Sequence, residues 1–196
     1  MSERPAPQAG PRIGSLCSGY GGLDLAVELV LGGRLAWYAE TDRHATTVLA
    51  HHWPDVANLG DIRTVDWTTV APVDILTAGF PCQDISNAGK RAGITGTHSS
   101  VWKHVAEAVR VLRPRLVFVE NVAALLRRGF DVVHADLAEI GYDTSWLCLR
   151  ASDIGAPHRR DRLFLLYLDS SRSMWWTSQS NGCGNEVLVA GRVYLA

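Results

Sequence analysis

The chain has 196 residues, 47% of them hydrophobic and 20% charged, which suits one domain with a full core and excludes wholesale disorder. With 19 basic against 20 acidic side chains the net charge is −1, so any contact with nucleic acid has to rest on a local basic patch or on a part this chain lacks. No apolar run approaches the ~18 residues of a membrane span, and the polar start MSERPAPQAGP has no signal-peptide core; a soluble, cytoplasmic protein without a membrane anchor is expected.

Residues 1–11 read as a disordered leader. From Arg12 onward short apolar runs bounded by turn residues mark strands at 13–16, 35–39, 73–78 and 116–119. Between them Leu23, Ala26, Val27, Val30 and Leu31 recur at helical spacing, as do Val101, Val105, Ala108, Val109 and Leu112, with Pro114 just beyond the stop. A third helix is expected over 131–140, ended by Gly141, and further strands near 145–149 and 163–168. Strands alternating with helices imply a parallel sheet with crossover helices, hence one α/β domain over 12–168. Residues 169–196 are too few for a second domain and read as a short tail.

Four groups of residues stand where such a fold does chemistry. Cys17-Ser18-Gly19-Tyr20-Gly21-Gly22 joins the first strand to the first helix, and a glycine turn there brings backbone N–H groups close to a ligand. Glu40 and Asp42 follow the second strand, and Asp61 follows a third segment. Acids at successive strand ends, with no basic residue in the first turn, favour an adenosyl ligand over a phosphate-bearing one. A nicotinamide-dependent oxidoreductase also uses a Gly-rich first turn, but it needs a fuller G-x-G-x-x-G. Gly79-Phe80-Pro81-Cys82-Gln83 ends the strand over 73–78 and holds Cys82 in a shaped loop. Glu120-Asn121-Val122 ends the strand over 116–119 with a carboxylate that costs free energy unless it has a partner or a task. His158-Arg159-Arg160-Asp161-Arg162 opens the last strand, and Arg160 and Arg162, two apart, project to one side of the pleat. The remaining cysteines, Cys17, Cys148 and Cys183, make no C-x-x-C pair with Cys82 or with one another. Neither zinc nor a disulfide framework is expected, and Cys17 and Cys148 read as small buried hydrophobes.

Taken in order, these groups resemble the cytosine-5 DNA methyltransferase family over roughly residues 12–168. SGYGGLDLA is similar to the family's S-adenosylmethionine turn, GFPCQDIS to its nucleophile loop, ENV to its glutamate motif and PHRRDRLFLL to its arginine motif. The resemblance implies a doubly wound, Rossmann-like S-adenosylmethionine-dependent methyltransferase domain that methylates C5 of cytosine in DNA, as in restriction-modification systems. It implies Cys82 as nucleophile, Glu120 as the group at the cytosine ring nitrogen, and Arg160 and Arg162 steadying the flipped base, which Gln83 and the loop over 84–98 replace in the duplex. For the cofactor it implies Ser18, Gly19, Gly21, Gly22 and Leu23 at the methionine end, Glu40 at the ribose and Asp61 with Ile62 at the adenine. Pro81 and Val101 complete that site, with Asn185 and Val187 of a tail segment similar to the family's terminal G-N-x-V motif. Arg91, Arg127, Arg128 and Arg159 are candidates for a DNA-facing patch.

The chain departs from the family's pattern at Cys17, where the family has phenylalanine, at Thr41, where it often has a bulky apolar residue, and at His158, usually glutamine. The family places a target-recognition domain after the arginine motif, and here 28 residues follow Leu168. The expectation is a catalytic core whose recognition region is deleted or supplied by a partner chain, leaving a weak, partner-dependent S-adenosylmethionine binder as the alternative to an enzyme active alone.

Overall fold

A computed structural model of the chain describes residues 10–81 and 101–171. Cys82, Gln83, Arg91, Cys183, Asn185 and Val187 lie outside the described residues, as does the loop over 84–98. Seven strands form one sheet: β1 (Arg12–Leu16), β2 (Arg34–Ala39), β3 (Ala57–Asn58), β4 (Ile75–Ala78), β5 (Leu116–Val122), β6 (Tyr142–Arg150) and β7 (Asp161–Asp169), in the order β3-β2-β1-β4-β5-β7-β6. The helices are α1 (Gly22–Leu31), α2 (Arg43–His52), α3 (Val101–Leu112), α4 (Leu125–Arg128) and α5 (Phe130–Glu139). Pro11, assigned to the leader by sequence, already accepts a hydrogen bond from the Arg34 N–H.

The first five strands pair in parallel, as the alternation predicts. β7 is the exception, antiparallel to both β5 and β6. Between β6 and β7 the chain makes only a 3-10 turn at Ala151–Ile154, and a parallel crossover needs a dozen or more residues, usually a helix. The sequence reading also missed α2, which is capped by Asp42 accepting from the His44 and Ala45 N–H groups. Only Ala45 and Leu49 of α2 are buried, too sparse a pattern to show as a helical stripe.

Apolar side chains of successive strand residues go to two cores, one on each face of the sheet. On one face Leu76, Val117, Val119, Leu163 and Leu165 meet α3 and α5. On the other Ile13, Leu35, Tyr38, Ile75 and Leu116 meet Val27 of α1 and Leu49 of α2. Each such buried aliphatic side chain contributes ~1.5–3 kcal/mol of transfer free energy.

α1 sits rotated from the face its apolar spacing suggested. Asp24 and Val27 are its buried residues, Leu31 packs partly, and Ala26 and Val30 are exposed along with Leu25 and Leu29. The helix can turn a carboxylate inward because β1 and β4 offer hydroxyl groups to it. The same core is flanked by half-buried Phe118 of β5 and Leu166 and Leu168 of β7. Cys148, expected in the core, is exposed on the edge strand β6, where Trp146 and Leu147 are exposed too. Among the described residues no helix is long and apolar enough to cross a membrane.

Candidate active site

β1 hands over to α1 through a turn of strained backbone. Cys17, Gly19 and Gly21 have φ of 51°, 55° and 78°, the left-handed region that favours glycine. A Cβ at Gly21 would lie 2.6 Å from the Trp53 ring, so both backbone and space demand glycine there. The turn is tied to the end of β2: the Gly19 N–H donates to Glu40 Oε2 at 2.7 Å, while Oε1 accepts from the Thr41 and Asp42 N–H groups, each at 2.8 Å. Burial, then the charges of Glu40 and Asp61, push the Cys17 thiol up to about 12. Cys17 is therefore a neutral thiol that packs partly against the core while lining the cavity next to it.

A cavity of about 490 Å³ opens at the carboxyl edge between this turn and the ends of β4, β5 and β7. Ser18, Gly19, Gly22 and Leu23 line one side, and Gly79, Glu120, Arg160 and Phe164 line another, with buried Ser15, Asp24 and Thr77 at its base. The fold thus brings the glycine-turn residues together with the glutamate and the first arginine of the motifs read from sequence. Gly21, Glu40, Asp61, Ile62, Pro81, Val101 and Arg162 are not among the lining residues. Asp61 is engaged by Arg63 through both carboxylate oxygens, and those hydrogen bonds hold its carboxyl down to about 2. Ile62 is buried in the core, Val101 packs partly against the same core, and Pro81 is exposed.

Glu120 is not at a strand end, as the sequence suggested, because β5 continues to Val122 through its pairing with β7. The register sets Glu120 opposite Phe164 and Val122 opposite Arg162, so Arg162 is the diagonal neighbour of Glu120. Arg162 Nε lies 2.5 Å from Glu120 Oε1, a short charge-assisted contact between two half-buried side chains. Arg160 precedes the strand instead of sharing its pleat with Arg162, yet it lines the cavity beside Glu120. Arg127 and Arg159 are exposed, and neither they nor Arg128 line the cavity.

The neighbouring residue works on the opposite face. Asn121, 2% exposed, donates from Nδ2 to the Phe80 carbonyl at 3.1 Å and accepts the Val122 N–H on Oδ1. Phe80 packs on Trp102 with ring centroids 5.3 Å apart, and the Trp102 indole N–H is satisfied by Asp136 at 2.7 Å. The segment that leads into Cys82 is thereby clamped up to Phe80. Sequence reasoning missed the roles of Asn121, Ser15, Asp24, Thr77 and Phe164. An available signal was Asp24 itself, an acid three residues before Val27 on the inward side of an apolar helix.

Comparison with known proteins agrees with this arrangement. The family model for C-5 cytosine-specific DNA methylase matches residues 12–181. Among curated relatives, the type II methyltransferase M.NlaIV of Neisseria lactamica is 35% identical over 132 residues, covering 62% of this chain and 31% of the relative. M.HhaI of Haemophilus parahaemolyticus is 32% identical over 161 residues, covering 80% of this chain and 49% of the relative. The chain therefore spans about a third to a half of the length of such relatives. Among solved structures, a DNA modification methyltransferase encoded within an E. coli prophage superposes with a TM-score of 0.66 at 24% identity, over 82% of this chain and 47% of that one. The S. pombe Dnmt2 methyltransferase does so with 0.67 at 17% identity, over 84% and 51%. These likenesses establish the α/β Rossmann-like fold. With the family model spanning the turn, the glutamate strand and the arginine strand, the chain belongs to the C-5 cytosine-specific DNA methylase family.

Proposed function

We propose that this chain is the catalytic core for methyl transfer from S-adenosylmethionine to C5 of a cytosine in DNA. The observation that carries the reading is Glu120, held by Arg162 beside a glycine-turn cavity, on the sheet edge where β4 leads through Phe80 and Pro81 toward Cys82. The cavity has the size of a small-molecule site, and its carboxylates, with no basic residue in the glycine turn itself, support an adenosyl amino acid over a phosphate-bearing ligand. Ser18, Gly19, Gly21, Gly22 and Leu23 would hold its methionine end, Glu40 the ribose, and Asp61 and Ile62 the adenine. Pro81, Val101, Asn185 and Val187 would close the site.

When bound, S-adenosylmethionine supplies an electrophilic methyl group on a sulfonium. The protein's task is to make C5 of cytosine nucleophilic. In this reading the Cys82 thiolate adds to C6 while Glu120 holds the proton at N3, so the ring becomes an enamine with electron density at C5. C5 then takes the methyl group, its bond to the sulfonium breaking to leave a neutral thioether, and loss of the C5 proton to solvent with expulsion of the Cys82 thiolate restores the aromatic ring. The base must leave the duplex at a cost of a few kcal/mol, with Gln83 filling its place and Arg160 and Arg162 steadying it. The test is a duplex containing 5-fluorocytosine, which blocks the final elimination. A covalent complex is expected with the parent chain and none with Cys82→Ser; trapping that persists in the variant removes Cys82 from the role.

The chain spans a third to a half of the length of such relatives, and in a second reading sequence recognition comes from a further segment, on this polypeptide or on another. Phosphate contacts position a protein on DNA, whereas base contacts specify the site. On this reading residues 12–168 bind the cofactor, in the cytoplasm beside the DNA, and methylation of a defined sequence requires that further segment.

A further inference from the structure

Both acids of α1, Asp24 and Glu28, turn toward the protein, while Leu25, Leu29 and Val30 face outward. Glu28 is accounted for by the packing of β2 and α2, since it accepts from the Leu35 N–H at 2.6 Å and from the Trp53 indole. Asp24 does something else. It is 1% exposed, and its two oxygens accept from Ser15 Oγ at 2.9 Å and Thr77 Oγ1 at 2.5 Å. Ser15 and Thr77 are register partners on β1 and β4, each also 1% exposed. A buried carboxylate with two hydroxyls is a costly way to pack a helix on a sheet, because apolar groups of similar shape would serve stability as well.

The hydroxyl chain continues to the cavity: Ser15 Oγ lies 2.7 Å from Ser18 Oγ, and Ser18 lines the cavity. Each serine carries one O–H proton, and an ionised carboxylate only accepts. With Asp24 ionised, the Ser15 proton is committed to Asp24, so Ser18 must donate to Ser15. The free side of the Ser18 oxygen then carries lone pairs only. We propose that Asp24 is a positioning residue which, through Ser15, makes Ser18 a hydrogen-bond acceptor toward the cavity and so selects the ammonium group of an amino-acid ligand at that spot. The proposal rests on the cofactor reading given above.

The same chain has a second state. Burial pushes the Asp24 carboxyl up to about 6, against the hydrogen bonds from Thr77 and Ser15 and with help from the charge of Glu28. A protonated Asp24 donates to Ser15, whose proton turns to Ser18, whose proton turns into the cavity. The groups around Asp24 are Glu28 on its own helix, the hydroxyls of Ser15 and Thr77 on β1 and β4, and Glu120 and Arg160 across the cavity. No histidine lines the cavity among the described residues.

Calorimetry on the full chain with two ligands tests this: S-adenosylhomocysteine, which carries the amino-acid end, and 5′-methylthioadenosine, which lacks it. Asp24→Asn and Ser18→Ala are each expected to weaken S-adenosylhomocysteine about 10- to 100-fold, the scale of one hydrogen bond to a charged group, and to leave methylthioadenosine unchanged. In the parent, affinity for S-adenosylhomocysteine falls as pH drops through about 6, and in Ser18→Ala it is flat. Equal loss of both ligands in Asp24→Asn, or loss of neither, overturns the proposal while leaving the cofactor reading intact. A parent chain that binds neither ligand overturns both. Should Asp24→Asn fail to fold, Ser18→Ala decides alone, by its ligand selectivity and its pH profile.

Discussion

Replacing Asp24 with asparagine isolates the energetics of the buried carboxylate. Its carboxyl is raised in the folded chain from 3.8 to about 6, with burial as the first cause. Between these values the folded chain keeps a proton that the unfolded chain has released, so stability falls as pH rises through this window. The contribution is fully present below the unfolded value and lost once pH has passed about 6. A gap of about two pH units corresponds to about 3 kcal/mol. Asparagine does not titrate, so the stability of Asp24→Asn relative to the parent should increase by about 3 kcal/mol between roughly pH 3.5 and pH 7. Asp61, held down by Arg63, acts in the opposite sense, losing its contribution as pH falls through about 2, but it is common to both proteins and cancels in the difference. Urea unfolding of both chains across this range measures the quantity. A difference that stays constant with pH, within the ~10–15% extrapolation error, would refute the assignment of Asp24 as a carboxyl held at a desolvation cost.

Glu120→Gln should retain S-adenosylhomocysteine affinity and lose turnover, because the residue serves the base; calorimetry beside a methyl-transfer assay checks this, and lost binding would place Glu120 in the cofactor site. Asn121→Ala leaves the buried Phe80 carbonyl without its side-chain donor, which costs about 1–3 kcal/mol of stability. It should slow trapping on 5-fluorocytosine DNA while cofactor affinity holds, a split readable in one gel series and one titration. DNA binding by this chain alone should be weak and fade between about 50 and 200 mM salt, with a slope near 0.9 in log K per phosphate contacted. Filter binding on duplexes with and without cytosine tests it, and tight, sequence-selective binding at high salt would show a reading surface within these residues.

What the sequence determined by itself was local. The runs at 13–16, 35–39 and 116–119 became β1, β2 and most of β5, because a short apolar run bounded by turn residues has few other ways to bury itself. The glycine turn was readable for the same reason: left-handed φ at Gly19 and Gly21 is a property of single residues. Whatever depends on a partner far along the chain was not readable. β7 runs against β5 because of the path taken between β6 and β7, and that reversal sets Arg162 on the diagonal from Glu120. α1 presents Asp24 inward only because Ser15, nine positions before it, and Thr77, 53 positions after it, meet it across two strands. A sequence pattern records which side chains prefer to leave water. Which donor will satisfy a buried oxygen is decided only when the strands have taken their register, and it is there that tertiary structure set the orientation of this site.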